Sequence, residues 1–218
     1  KTILIERMAC GGQALITDRV ENFPGFPGGI KGPELADRMF KQASYFGLEV
    51  TPDEVKGIAI NNGKDRVFSI ELTGGAKLEA LSVIISTGAR WNSLGAPGEK
   101  ELAGRGVSYC ATCDGPLFRG KDVVVVGGGD TALEDAIFLT KFANKVTIVH
   151  RRDKLRATKI LQERAFANKK IEMCLGVTCT GIIGKNTVEA IKIKDVKTGA
   201  ERSLKTDGVF VLIGLSPN

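Results

Sequence analysis

The chain has 218 residues, of which 43% are hydrophobic and 26% charged, and a net charge of +6. That allows one large globular domain or two small ones. It argues against a membrane-spanning helix, because the longest apolar runs are strand-sized. It also argues against a nucleic-acid surface, because the basic residues are spread along the chain apart from one cluster between His150 and Arg164. The five cysteines are odd in number and unevenly spaced, unlike a secreted disulfide framework, and the chain shows no signal peptide. The expected compartment is therefore a reducing cytoplasm.

Thr2 to Ile5 reads as a buried parallel strand with Glu6 at its carboxyl end. In a dinucleotide-binding unit, an acid at the end of the second strand accepts hydrogen bonds from a ribose. The alternative is that Glu6 is a solvated strand end. The stretch Gly11-Gly12-Gln13 and the segment from Val20 through Asn22 to Gly29 hold too many glycines and prolines for regular structure, so they read as loop. Adjacent glycines permit a flat ligand to approach the backbone, or serve turn geometry alone. Pro33 predicts a helix start. Leu35, Met39, Ala43 and Phe46 give that helix an apolar face, and Gly47 ends it.

Three short strands follow, Val55 to Ile60, Val67 to Leu72 and Lys77 to Ile85. Their turns are Asn61-Asn62-Gly63 and Thr73-Gly74-Gly75. The last strand is apolar enough to enter a buried sheet. Ser86-Thr87-Gly88-Ala89 sits at its carboxyl end, where open α/β sheets place ligands. Residues 92–105 read as a connection between domains, and glycines at 95, 98, 104, 106 and 214 mark candidate hinges.

Cys110-Ala111-Thr112-Cys113-Asp114 is the stretch with the most chemistry. C-x-x-C spacing lets two sulfurs join and part with little backbone movement, and it tends to lower one thiol pKa. Asp114 stands ready to give or take a proton. The competing readings are inert thiols, or half a zinc site completed by Cys174, Cys179 or His150, whose spacing suits zinc poorly.

Val123 to Val126 reads as a buried strand, followed by Gly127-Gly128-Gly129-Asp130-Thr131-Ala132 and a helix through Ala136, Ile137 and Leu139. Gly127-x-Gly129-x-x-Ala132 in that setting is a dinucleotide fingerprint. The ribose-recognition position should lie about 20 residues on. His150, 23 residues past Gly127 (150 − 127), ends the strand Val146 to Val149 and opens His150-Arg151-Arg152, with Arg156 a turn later. Cations there suit the 2′-phosphate of NADPH, where an acid would suit NADH. The alternative is a solvated basic helix start. Further strands are expected over Glu172 to Leu175, Val188 to Asp195 and Gly208 to Ile213.

These motifs, in this order, resemble bacterial-type low-molecular-weight thioredoxin reductases. The resemblance implies an α/β fold of two Rossmann-like nucleotide-binding domains. Residues 1–106 would be part of an FAD-binding domain, 107–214 an inserted NADPH-binding domain with the redox disulfide, and 215–218 the start of the return. It implies FAD and NADPH as cofactors, thioredoxin as partner, and a cytoplasmic homodimer. Carried over by position, Cys110 attacks the thioredoxin disulfide, Cys113 faces the flavin and Asp114 donates a proton. Glu6, Gly11, Gly12, Gln13, Asn22, Thr87, Gly88 and Ala89 fall where the family contacts FAD. Gly127, Gly129, Arg151, Arg152 and Arg156 fall where it holds NADPH, with Asp130, Thr131, Ala132 and His150 in the same motifs. The family's first glycine loop and its final flavin-contacting Gly-Asp motif have no counterpart here, so the chain reads as the middle of such an enzyme. Two alternatives stay open: an NADPH-binding module with an idle disulfide, and the related flavoprotein of a peroxide-reducing system.

Overall fold

The computed structural model describes residues 1–62 and 66–218, which separate into two compact units, Lys1–Gly88 and Ala89–Asn218. The expected turn residue Gly63 lies outside the described residues. No helix among the described residues is long and apolar enough to cross a membrane.

In the first unit, β1 (Ile3–Ile5) is followed by a 3-10 turn, Gly12–Ile16, and by α1 (Gly32–Tyr45). β2 (Glu49–Thr51) then pairs parallel with β1. α1 has proline in its first turn, where a missing N–H costs nothing. A Cβ at Gly32 would overlap the carbonyl oxygens of Ala14 and Thr17, so the glycine lets the helix start against the 3-10 turn. Only Gly32, Leu35 and Ala36 of α1 are buried. The expected apolar face fails beyond them, since Met39 and Phe46 are exposed. An antiparallel meander follows, made of β3 (Val55–Asn62), β4 (Arg66–Leu72) and β5 (Lys77–Ala80), with Thr73 to Gly75 turning as expected. The strand expected through Ile85 stops at Ala80. Leu81, Ile84 and Ile85 are exposed, because no described strand pairs with them.

The second unit opens with β6 (Ala89–Trp91), β7 (Val107–Ser108) and the short helix α2 (Ala111–Asp114). The nucleotide-type core follows as β8 (Asp122–Val126), α3 (Asp130–Leu139), β9 (Lys145–His150), α4 (Lys159–Ala167) and β10 (Ile171–Leu175). β11 (Val177–Ile183), β12 (Ala190–Asp195) and β13 (Glu201–Lys205) form an antiparallel sheet, and β14 (Gly208–Val211) and β15 (Leu215–Pro217) end the chain. The parallel sheet has the order β10-β9-β8-β14-β7.

The valines of β8 show why this sheet holds. Val123 and Val125 join a core with Leu133, Leu139, Ile148 and Phe210. Val124 and Val126 join the opposite core with Ile191, Ile193, Val209 and Val211. Successive side chains point to opposite faces, so a strand covered on both sides must be apolar throughout. The α/β class expected from the sequence holds.

Several elements escaped sequence reading, among them α4, β11 and β13. α4 buries Leu161 and Ala165, four apart, but Ile160 and Phe166 face solvent and blur the helical pattern. β11 carries Gly181 at a register shift, and β13 is mostly polar.

Candidate active site

Cys110 and Cys113 form a disulfide, with their Cα atoms 5.4 Å apart. Cys110 caps the N-terminus of α2, and its Sγ accepts the Cys113 N–H at 3.2 Å. A backbone N–H aimed at a sulfur favours its thiolate. Cys113 is the more exposed of the two. Ser108 at the end of β7 braces the loop, because its Oγ donates to Asp114 Oδ2 at 2.6 Å and accepts the Cys110 N–H at 3.1 Å. Asp114 thus stands fixed one residue from the pair.

The glycine turn after β8 lines a cleft of about 660 Å³, together with Asp130, His150, Arg151, Arg152 and Arg156. A Cβ at Gly127 would overlap the Leu212 carbonyl and meet Ala132 Cβ at 2.8 Å, so this turn and the small Ala132 need each other. A Cβ at Gly128 would overlap the His150 ring, whereas Gly129 faces open space. Asp130 Oδ1 accepts the Thr158 N–H at 2.6 Å and the Gly128 carbonyl accepts the Arg156 N–H at 2.7 Å, which ties the basic segment to the glycine turn. Among the described residues, Arg151, Arg152 and Arg156 pair with no carboxylate. His150 Nε2 is buried without a hydrogen-bond partner. Burial first, then the charges of Arg152 and Arg151, pull the His150 pKa down, while the Lys154 backbone opposes them. Three unpaired guanidinium groups and an orphaned polar nitrogen around a glycine turn fit a phosphate-bearing dinucleotide.

The family described as pyridine nucleotide-disulphide oxidoreductase matches residues 1–218. The chain belongs to this family. Among curated relatives, the thioredoxin reductase of Bacillus subtilis (strain 168) is 49% identical over 217 residues, which cover 99% of this chain and 67% of that protein. The thioredoxin reductase of Treponema pallidum (strain Nichols) is 46% identical over 217 residues, 100% of this chain and 69% of that one. Among solved structures, Lactococcus lactis thioredoxin reductase (FR conformation) matches with a TM-score of 0.95 at 41% identity, covering 100% of this chain and 71% of that one. The chain therefore spans about two thirds of the length of these relatives. As a pyridine nucleotide-disulphide oxidoreductase it is a flavoprotein enzyme using FAD and NADPH. The match runs through both units, which disfavours the reading as an NADPH-binding module alone.

In the first unit of this pyridine nucleotide-disulphide oxidoreductase, Glu6 follows β1, where an acid can meet a ribose, and its Oε1 accepts the Met8 N–H at 2.9 Å. Gly11 has φ 134° and sits against Leu15 and Ala36, and with Gly12 it leads into the 3-10 turn that contains Gln13. Asn22, Thr87 and Gly88 are exposed, and Ala89 begins β6.

Sequence reading missed a polar knot just ahead of the disulfide. Glu99 is 1% exposed, and it accepts the N–H of Leu94 at 2.8 Å, the N–H of Gly95 at 2.7 Å and the Tyr109 hydroxyl at 2.8 Å. Burial first, then the hydrogen bond and charge of Glu99, push Tyr109 up to about 12. The knot clamps residue 109 and so holds the backbone entering Cys110. Burial likewise raises the Cys179 thiol, with the Gly181 backbone opposing, so this cysteine is not a thiolate at neutral pH.

Proposed function

We propose that this chain carries the NADPH site and the exchanging disulfide of an enzyme that reduces thioredoxin, in the cytoplasm and as a homodimer. The observation that carries the reading is the Cys110–Cys113 disulfide, with an N–H on one sulfur and a braced carboxyl beside it. The compartment rests on cysteine usage, and the dimer on the family resemblance. Residues 107–214 are the proposed NADPH-binding domain and 1–106 part of the FAD-binding domain, with 215–218 beginning the return.

Gly127, Gly129 and the α3 N-terminus would cradle the pyrophosphate, with Asp130, Thr131 and Ala132 shaping the turn. Arg151, Arg152 and Arg156 would hold the 2′-phosphate, and His150 Nε2 would meet a polar group of the nucleotide. Glu6, Gly11, Gly12, Gln13, Asn22, Thr87, Gly88 and Ala89 would contact FAD. When bound, the two cofactors supply the two electrons that open the disulfide.

The cysteines then perform the exchange. The Cys110 thiolate, favoured by the Cys113 N–H, attacks one sulfur of the partner's disulfide. A mixed disulfide forms, and the partner's other sulfur leaves as a thiolate. Asp114, having taken a proton when the pair was reduced, gives it to that sulfur. Cys113 attacks Cys110 Sγ, the partner's second sulfur leaves, and the Cys110–Cys113 bond closes again. Two electrons have passed to the partner, whose disulfide becomes a dithiol.

The test is a non-reducing gel with a thioredoxin that lacks its own resolving cysteine. Cys113→Ser should trap a mixed disulfide through Cys110, and Cys110→Ser should not. An adduct from Cys110→Ser alone would reverse the two roles.

A further inference from the structure

The arginine segment from Arg151 to Thr158 is neither helix nor strand, so its shape depends on what it is tied to. Its far end is fixed to the glycine turn, because the Gly128 carbonyl accepts the N–H of Arg156 at 2.7 Å and of Ala157 at 3.2 Å. Its near end is fixed to a different part of the chain. The Arg152 carbonyl accepts the Gly176 N–H at 3.2 Å, and the Gly176 carbonyl accepts the Val196 N–H at 2.9 Å. Gly176 turns there with φ 71°, a left-handed conformation that favours glycine. Asp153 Oδ2 meets Lys197 Nζ at 2.8 Å. Lys197 sits at the tip of the β12–β13 hairpin. That tip is set by Asp195, whose Oδ1 accepts the N–H of Lys197 at 2.9 Å and of Thr198 at 2.8 Å. Asp153 is an acid directly after two arginines. Left to itself, it would set a negative charge beside a site built for an anion. Of residues 150–156, His150, Arg151, Arg152 and Arg156 line the cleft and Asp153 does not.

We propose that Lys197 is a positioning residue for the 2′-phosphate of NADPH, acting through Asp153: it holds that carboxylate off the phosphate site and cancels its charge. The proposal rests on the reading of Arg151, Arg152 and Arg156 as the phosphate contacts. The hairpin tip is then part of the specificity apparatus, although it lies more than 40 residues further along the chain than the arginines (197 − 156 = 41). Lys197 touches no nucleotide in this account. It affects only the nucleotide that carries the extra phosphate, because NADH brings no charge to that corner of the cleft.

The experiment titrates the purified chain with NADPH and with NADH, in the wild type, Lys197→Ala, Asp153→Asn and the double variant. Both side chains are largely exposed, so all three variants should fold. Lys197→Ala should weaken NADPH binding by about twofold to fivefold, the size expected of an exposed charge contact, and leave NADH unchanged. High salt should shrink the loss. Asp153→Asn should bind NADPH at least as tightly as the wild type. The double variant should match Asp153→Asn, because no carboxylate remains to be held. An unchanged NADPH affinity in Lys197→Ala would overturn the proposal, as would equal losses for both nucleotides. A double variant as weak as Lys197→Ala would also overturn it, since Lys197 would then act without Asp153. Weaker NADPH binding in Asp153→Asn would do the same. A wild-type chain that binds both nucleotides equally would remove the 2′-phosphate reading and this proposal with it. A wild-type preference for NADPH that ignores position 197 would remove this proposal alone.

Discussion

Two apolar, strand-like runs end in opposite states. Val123 to Val126 lies buried in β8 between two neighbouring strands, with a helical layer on one face and an antiparallel sheet on the other. Leu81 to Ile85 has similar composition, yet it pairs with no described strand, and Leu81, Ile84 and Ile85 stand exposed. The same contrast runs through the units that hold them. The second has two continuous cores, whereas the buried apolar side chains of the first are few: Ile30, Leu35, Ala36, Ile70 and Leu72. An apolar run inclines a chain toward a strand, but burial of each large side chain, worth roughly 1.5 to 3 kcal/mol, is realised only where neighbours cover it.

The widest test of this contrast compares two isoleucines. Ile148 of β9 is 0% exposed and Ile84 is 89% exposed. Ile148→Ala should cost about 2 to 5 kcal/mol of unfolding free energy in urea titrations, because it leaves a cavity. Ile84→Ala should stay within about 0.5 kcal/mol. Equal costs would erase the distinction. At the cleft, Arg151→Ala combined with Arg152→Ala should weaken NADPH binding by about 100-fold, given roughly 1.5 to 3 kcal/mol for a hydrogen bond to a charged group. Binding of NADH should change little, and equal losses in titrations with both nucleotides would refute the 2′-phosphate assignment. Within the knot, Tyr109→Phe removes the hydroxyl that Glu99 accepts and should lower stability by about 1.5 to 3 kcal/mol. Thermal melts that match the wild type would show the knot does not clamp the loop.

The smallest effect is a pH dependence. The folded chain holds the His150 pKa below its ordinary 6.5, by burial first and the flanking arginines second. Below 6.5 the unfolded chain takes up a proton that the folded chain resists. The stability tied to this residue is therefore present above 6.5 and is lost as the pH falls through that value. His150→Gln should flatten this part of a stability-against-pH curve, and a slope unchanged in the variant would contradict the sign.

What was legible in the sequence is chemistry carried at fixed local offsets. The cysteine pair, the turn from Gly127 to Ala132 and the basic segment from His150 to Arg156 each depend on residues a few positions apart, so spacing alone reveals them. The structure brings the last two to one cleft. Glu99 with Tyr109 was not legible, because the pair joins residues ten apart and Glu99 sits in no motif. The fate of Met39, Phe46 and Ile85 was misread for a related reason. Periodicity reports which face is apolar, and tertiary neighbours determine whether that face is covered.

The ribbon of β6 and β15 has one further consequence. Ala89 lies opposite Pro217, and Trp91 opposite Leu215, so the second unit begins and ends side by side. Partners in an antiparallel ladder are only about 5 Å apart. A cassette bounded this way can be spliced between two adjacent residues of a surface turn in an unrelated host without stretching the recipient backbone. Residues 89–217 thus enter and leave at one place, with the cleft and the Cys110–Cys113 disulfide between the two ends.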